Sequence, residues 1–481
     1  MDKLERPLGV EAEPKNHPST DLNISTKSFL VAIAIIFLLM ALTYALTFIL
    51  PGGEYSRTPD QAGHMVIDVA GGFRYVEGGL PFYRWLLSPL LVLTAEGSGT
   101  LIAVIIFLLV IGGAFTALNR CGLMTYMLAR IVNRYGGVRY KLMAVLIFFF
   151  MLMGSLVGSF EEVIPMVPIL VALSCRLGWD AVTGLAMSLL AAGCGFAAGV
   201  ANPFTIGVAQ GLAGLPMFSG IWLRMLAFVL IYLLLVFFVR THAKKLEQRG
   251  FAVKEEEGFS RNASMDRALM VFGGILGSGI LLVLSSGFLT FLQDYTMIIV
   301  ALMFLAAGLI SVRVSGMRSR ALAQAFLSGI LIILPSVIMI LMAASIKYTM
   351  VESHILDTAL HGAVTLAQGM PKGSLILFIY LICLVMNFFI PSGSAKAFLL
   401  IPLIVPLAQI FGVSSQLCIV AFAFGDGFSN VFYPTNPALL ISLGLADLSY
   451  GDWAKWSIKF QLANLLLTSA LLLFGLAVSY A

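Results

Sequence analysis

Four ionisable side chains sit in stretches that are otherwise apolar: Glu161 and Glu162 in GSFEEVIPMVP, Lys396 in PSGSAKAFLL, and Asp426 in FAFGDGFSN. A charge at membrane depth is costly unless paired or hydrated, which makes each of the four a functional candidate by default. Two readings compete. In one, Lys396 pairs with Asp426 or with a glutamate and the charges serve structure alone. In the other, Glu161 or Glu162 faces a substrate ammonium or carries a coupling proton, and Lys396 faces a carboxylate.

Two Asn-Pro pairs, Asn202-Pro203 and Asn436-Pro437, form the second set. Proline removes a backbone donor and pushes the residue before it out of the α region, so a helix must break there. Ala181 to Leu223 contains about 43 uncharged residues, far more than one straight span needs. A discontinuous helix follows. Freed carbonyls and half-helix ends at such a break can coordinate a cation or a carboxylate, and Asn202, Thr205, Thr435 and Asn436 add side-chain ligands. A cation site at Asn202 and Asn436 is one consequence; a plain proline kink satisfied by its neighbours is the alternative.

These residues recur in register. Shifting the chain by 234 positions, without a gap, superposes Pro168 on Pro402, Gly178 on Gly412, Gly193 on Gly427, Asn202-Pro203 on Asn436-Pro437, and Trp222 on Trp456. Many transporters are two inverted copies of one unit. In each half a Gly- and Ser-bearing cluster opens an apolar run that is too short to span twice, which predicts a re-entrant hairpin lined by protein. The expected division is a disordered tail over 1–27 and a first repeat over 28–240, with its hairpin at about 155–178 and broken helix at about 181–219. A cytoplasmic linker over 241–267 precedes a second repeat over 268–481, with its hairpin at about 389–412 and broken helix at about 414–450.

Composition sets the solvent. Sixty per cent of the 481 residues are hydrophobic and 11 per cent are charged, a balance that belongs in lipid. The fold class expected is an all-α integral membrane protein with about 10–11 transmembrane helices plus two re-entrant hairpins. The net charge of +5 comes from Lys and Arg in short loops, where they act as topology determinants and not as a nucleic-acid face. One basic cluster spans Arg120 to Lys141 and another Arg240 to Arg267, and the positive-inside rule places both in the cytoplasm. Counting the apolar segments gives an odd number of crossings between them, which contradicts that placement. Pro51 to Arg84 reads as an extracytoplasmic loop. The five cysteines show no metal-binding spacing, the five histidines are scattered, and neither a GxSxG nor a Walker motif occurs. An enzyme is therefore not expected, nor a resident cofactor or metal; the driving force would be a sodium, proton or counter-substrate gradient.

At these residues the chain resembles the YfcC-like branch of the C4-dicarboxylate anaerobic carrier (DcuC) family, within the wider ion transporter superfamily. The resemblance runs from about residue 28 onward. It is carried by LLVIGGAF at 108–115, the Glu161-Glu162 pair, NPFTIGVAQGLAGLP at 202–216, PSGSAKA at 391–397 and FGDGFSNVFYPTNP at 424–437. It implies opposed hairpins, a scaffold that forms a homodimer, an elevator-like mobile part and residence in a bacterial inner membrane. By position it puts substrate and ion ligands on Ser159, Glu161, Glu162, Asn202, Thr205, Ser392, Gly393, Ser394, Asp426, Thr435 and Asn436. Lys396 departs from the uncharged residue expected there; it could replace a bound cation or select an anion. The branch carries two substrate labels, basic amino acid exchange and C4-dicarboxylate transport. An amino acid suits both the glutamates and Lys396, a dicarboxylate is the runner-up, and an ion channel is the alternative from another class.

Overall fold

The computed structural model describes residues 26–59, 65–68, 71–95, 98–158, 160–216, 218–248, 261–286 and 296–480. The tail expected over 1–27 lies outside the described residues up to position 25, as does 249–260 of the central linker. The protein is a mostly helical, multi-pass membrane protein: eight helical runs among the described residues are long and apolar enough to cross a bilayer.

Short-range chemistry fixes where the helices of the two repeats start and stop. In the first repeat, α6 (Arg139–Leu152) rises to a π-turn at Met153–Val157, and α7 (Val167–Arg176) returns. Gly178, with φ +82°, ends α7 in the left-handed conformation that glycine adopts without strain. Asp180 then caps α8 (Ala181–Leu185) by accepting the Thr183 N–H at 2.8 Å. The run continues through a second π-turn into α9 (Ala191–Ala198), breaks, and resumes as α10 (Val208–Leu212) before α11 (Ile221–Gln248). The second repeat uses the same devices 234 positions on. Its arms are α16 (Lys372–Phe389) and α17 (Gly393–Ile410), Gly412 has φ +70°, and Ser414 caps α18 (Ser415–Asp426). A break, α19 (Pro437–Leu445) and α20 (Tyr450–Ala477) follow.

Both hairpins are longer than the ranges 155–178 and 389–412. The Gly-Ser cluster at 154–158 is the tip of the first hairpin and not its start: the chain turns at Gly158, φ +76°. The outgoing arm is the apolar helix before it. Both ends of this hairpin meet on one face, where Arg139 donates to the Leu177 carbonyl at 2.8 Å and pairs with Glu247 at 2.8 Å. Asp180 pairs with His242 on that face at 2.9 Å. The second hairpin opens on the opposite face: Lys372 lies against Gly412, and Ser414 donates to the Tyr480 carbonyl. The repeat is inverted.

This geometry removes the parity contradiction. Between the two basic clusters the chain enters and leaves by one face as a hairpin, crosses once through α8–α10 and returns once through α11, an even count. The clusters also touch directly, since Arg130 of α5 (Leu123–Tyr135) pairs with Asp266 of α12 (Ala263–Ser286) at 2.5 Å.

The remaining helices pack mainly against one another. Outside the repeats' broken helices lie α1 (Thr26–Leu46), the short α2 (Phe82–Leu86) and α3 (Ser88–Leu91), α4 (Ser98–Arg120), α13 (Thr296–Val314), α14 (Ser319–Glu352) and α15 (Ile355–Ala367). α14 packs on α4 and α1, and α13 on α4 and α12. A Cβ on Gly329 would strike the Gly112 carbonyl and approach Thr116 Oγ1 to 2.6 Å, so the α4–α14 contact depends on the small residues that let membrane helices approach closely.

The segment read as a plain loop over 51–84 instead folds into two ribbons, β1 (Gly53–Tyr55) with β4 (Phe73–Tyr75) and β2 (Arg57–Pro59) with β3 (Met65–Ile67). Arg57 Nη2 donates to both carboxylate oxygens of Asp357 at 2.9 Å, which ties the ribbons to α15. Burial and the Asp357 charge push the Tyr55 phenol up to about 12. β3 also packs on α17 of the second hairpin.

Candidate functional site

The two breaks satisfy their own backbone. At the first, the Val200 N–H donates to Ser155 Oγ at 3.0 Å and the Ala201 N–H to the Ser155 carbonyl at 3.1 Å, so the tip of the first hairpin stitches the gap. At the second, side chains of α20 take the freed carbonyls. Gln461 donates to Phe428 at 3.1 Å, Trp453 to Val431 at 2.7 Å and Tyr450 to Phe432 at 3.0 Å. Buried main-chain groups need such partners.

The breaks cross at glycines related by the repeat. A Cβ on Gly193 would meet Val431 at 2.7 Å and the Gly427 carbonyl at 3.4 Å, and one on Gly427 would strike the Ala197 backbone. Gly154 and Gly195 bring the first hairpin equally close to α9. Each Asn of the Asn-Pro pairs acts as a helix cap, with proline in the first turn where its missing N–H is harmless. Asn436 Oδ1 accepts the Ala438 N–H at 2.9 Å, and Asn202 Oδ1 accepts the Thr205 N–H at 3.3 Å.

Lys396 and Asp426 meet. Both side chains are 0% exposed, and Lys396 Nζ donates to Asp426 Oδ1 at 2.6 Å and to Asn387 Oδ1 at 2.5 Å. Asn387 Nδ2 in turn donates to the Asp426 carbonyl at 3.1 Å, Ser429 Oγ at 2.7 Å and Asn430 Oδ1 at 2.9 Å. Asn436 Nδ2 joins the network at Asn430 Oδ1, 3.0 Å away. The tip of the second hairpin closes over this cluster, where a Cβ on Gly393 would collide with Asp426 Oδ2 and lie 2.5 Å from the Thr205 methyl. Both repeats therefore contribute to one centre.

The glutamates behave differently. Glu161 and Glu162 open the 3₁₀ turn Glu161–Met166 and stay partly exposed. Glu162 Oε2 accepts the Phe160 N–H at 3.1 Å, while neither carboxylate has a cationic partner among the described residues. Asp426 lies within electrostatic reach of Glu161, which places the pair beside the Lys396 cluster. Thr205 and Thr435 are buried with hydroxyls that make no hydrogen bond among the described residues, Ser392 is exposed at the start of α17, and Ser394 is half-buried close by. Ser159 lies outside the described residues.

Sequence reasoning missed Asn387, Ser429 and Asn430. Asn387 carried a usable signal, a lone amide in the apolar run LICLVMNFFI. No group of three His, Cys, Asp or Glu residues able to hold a metal ion occurs among the described residues.

Opposed hairpins meeting two broken helices in inverted repeats make the architecture of a secondary transporter, with a small-molecule substrate handled inside the membrane. The chain belongs to the C4-dicarboxylate anaerobic carrier (DcuC) family, whose sequence profile matches residues 29–477. YfcC of Escherichia coli K12, named as a candidate basic amino acid antiporter, is 29% identical over 377 residues, covering 74% of this chain and 74% of that protein. An uncharacterized protein of Haemophilus influenzae KW20 is 25% identical over 394 residues, covering 78% of this chain and 76% of its own. Among solved structures, the YdaH transporter of Alcanivorax borkumensis aligns over 94% of this chain and 98% of its own at 20% identity, with a TM-score of 0.46. The family is one of carriers, and the YdaH structure is that of a transporter.

Proposed function

We propose that the protein exchanges basic amino acids across the bacterial inner membrane, as a homodimer. The observation that carries this reading is the charge balance of the site. Lys396, the residue that would favour an anionic substrate, is fully buried and its charge is answered by Asp426 at 2.6 Å. What remains open is the negative pair Glu161 and Glu162, which suits a substrate ending in an ammonium or guanidinium. The Ser392 and Ser394 hydroxyls supply neutral donors for the substrate's carboxylate. The name of the YfcC relative agrees with this reading.

Family membership favours a second substrate class, the C4-dicarboxylates, for which the site would have to release Lys396 from Asp426. Counterflow in proteoliposomes preloaded with unlabelled substrate separates the two. Labelled arginine should enter and saturate; succinate counterflow without arginine counterflow would overturn the proposal. Flux without counterflow or saturation would point to a channel.

A further inference from the structure

Hard cations inside proteins are held by converging oxygens, with a carboxylate to balance the charge. The second repeat builds such a set, and its occupant is part of the chain. Asn387 Oδ1 and Asp426 Oδ1 converge on one point, where Lys396 Nζ sits at 2.5 Å and 2.6 Å. We propose that the Lys396 ammonium is the resident cation of this transporter, occupying the place of a coupling sodium ion, so that exchange runs without sodium. This rests on the transporter reading but not on the identity of the substrate.

Three observations support it. First, the oxygens are preset: the two N–H groups of Asn387 Nδ2 are shared among three acceptors, the Asp426 carbonyl, Ser429 Oγ and Asn430 Oδ1, which turns the amide oxygen towards Lys396. An ammonium has three donors; two are used by these oxygens, and the ring of Phe422 lies 5.8 Å from Nζ as a cation–π partner. Second, several neighbouring oxygens are committed, while Asp426 Oδ2 and the Thr205 and Thr435 hydroxyls have no hydrogen-bond partner among the described residues. The carbonyls of Phe428, Val431 and Phe432 are held by α20, and Asn202 Oδ1 and Asn436 Oδ1 cap their own helices. Third, the cage has no twin. In the 234-residue register Asn387, Asp426 and Lys396 correspond to Met153, Ala192 and Glu162, so the first repeat lacks the matching amide and carboxylate.

The test measures thermal melting of the purified protein without substrate, and arginine counterflow, in sodium, choline and methylammonium chlorides at equal ionic strength. Wild-type melting and exchange should be the same in sodium and choline. Lys396→Ala leaves Asp426 buried without its partner. It should melt lower in choline, lose exchange on the order of 100-fold, and recover in part with sodium or methylammonium. Lys396→Ala combined with Asp426→Ala removes both charges and should melt alike in all three salts. A wild-type protein that requires sodium for exchange, or is stabilised by sodium over choline, overturns the proposal, as does a Lys396→Ala variant indifferent to the cation. If Lys396→Ala does not fold, the wild-type salt comparison decides. Absence of arginine counterflow with the expected melting pattern would sink the substrate reading and leave this one standing.

Discussion

Positions 162 and 396 are equivalent in the repeat, and the two hairpins use them in opposite ways. Glu162, with Glu161 beside it, is partly exposed and lacks a cationic partner, whereas Lys396 is sealed and bonded to Asp426 and Asn387. An internal ion pair is expensive to form and more expensive to break, because removing one partner strands the other in a low-dielectric interior. A partly exposed carboxylate without a cationic partner is free to take one from a ligand. On the function proposed above, the two tasks divide: the second hairpin's charge organises the centre, and the first hairpin's charges would meet the substrate.

The strongest way to break this comparison is to unpair the sealed side. Asp426→Asn should destabilise the protein by ~3–5 kcal/mol, the usual cost of leaving one member of a buried pair, read as a large drop in melting temperature in detergent. Unchanged melting would mean that Lys396 finds another partner and that the pair is not structural. The open side should respond in the opposite sense. Glu161→Gln and Glu162→Gln should lower arginine counterflow roughly 10- to 100-fold, the worth of a hydrogen bond to a charged group, with melting unaltered. Loss of folding instead of transport would place the glutamates with Lys396 and erase the distinction.

The same contrast explains what could be read from sequence. The breaks were legible because proline does backbone work at Asn202-Pro203 and Asn436-Pro437; that these asparagines, read as ligands, cap the resumed helices, and that the register-matched Gly178 and Gly412 take positive φ, came from the structure. The register that paired Gly193 with Gly427 marked the point where the broken helices cross. Hairpin arms were not legible, because α6 and α16 are as apolar as true spans and hydropathy does not report whether a helix turns back. That ambiguity produced the parity contradiction. The ribbons at 53–75 have strands of three residues, too short for alternation to register. Whether Lys396 would meet Asp426 was a question of packing between two separate helices, α17 and α18, which residue types alone do not report.

Between the sealed and open extremes lie the caps of the broken helices. Asn202→Ala and Asn436→Ala should each cost about 1 kcal/mol of stability through the lost cap and should both impair counterflow. Asn436→Ala should be the worse of the two, since Asn436 also donates to Asn430 at 3.0 Å and so reaches the Lys396 cluster. If both variants keep wild-type uptake, the breaks are kinks and not part of the site.

The smallest effect belongs to the ion pair at the base of the first hairpin, outside the membrane. Burial pushes the Asp180 carboxyl up, but hydrogen bonds and charge from His242, with the Thr183 donors, outweigh it and hold the group below its ordinary value. A depressed carboxyl stabilises the fold above that ordinary value and ceases to do so as pH falls through the folded-state value. Asp180→Asn keeps the cap, since an amide oxygen serves there as well as a carboxylate, and should cost up to about 1 kcal/mol near neutral pH through the lost pairing with His242; the gap from wild type should close in acid below the ordinary carboxylate range. Melting curves of both proteins across that range test it. A gap that persists in acid would show that the contact depends on shape and not on charge, whereas closure would mark this base as an ion pair that tolerates titration, unlike the sealed pair at Lys396.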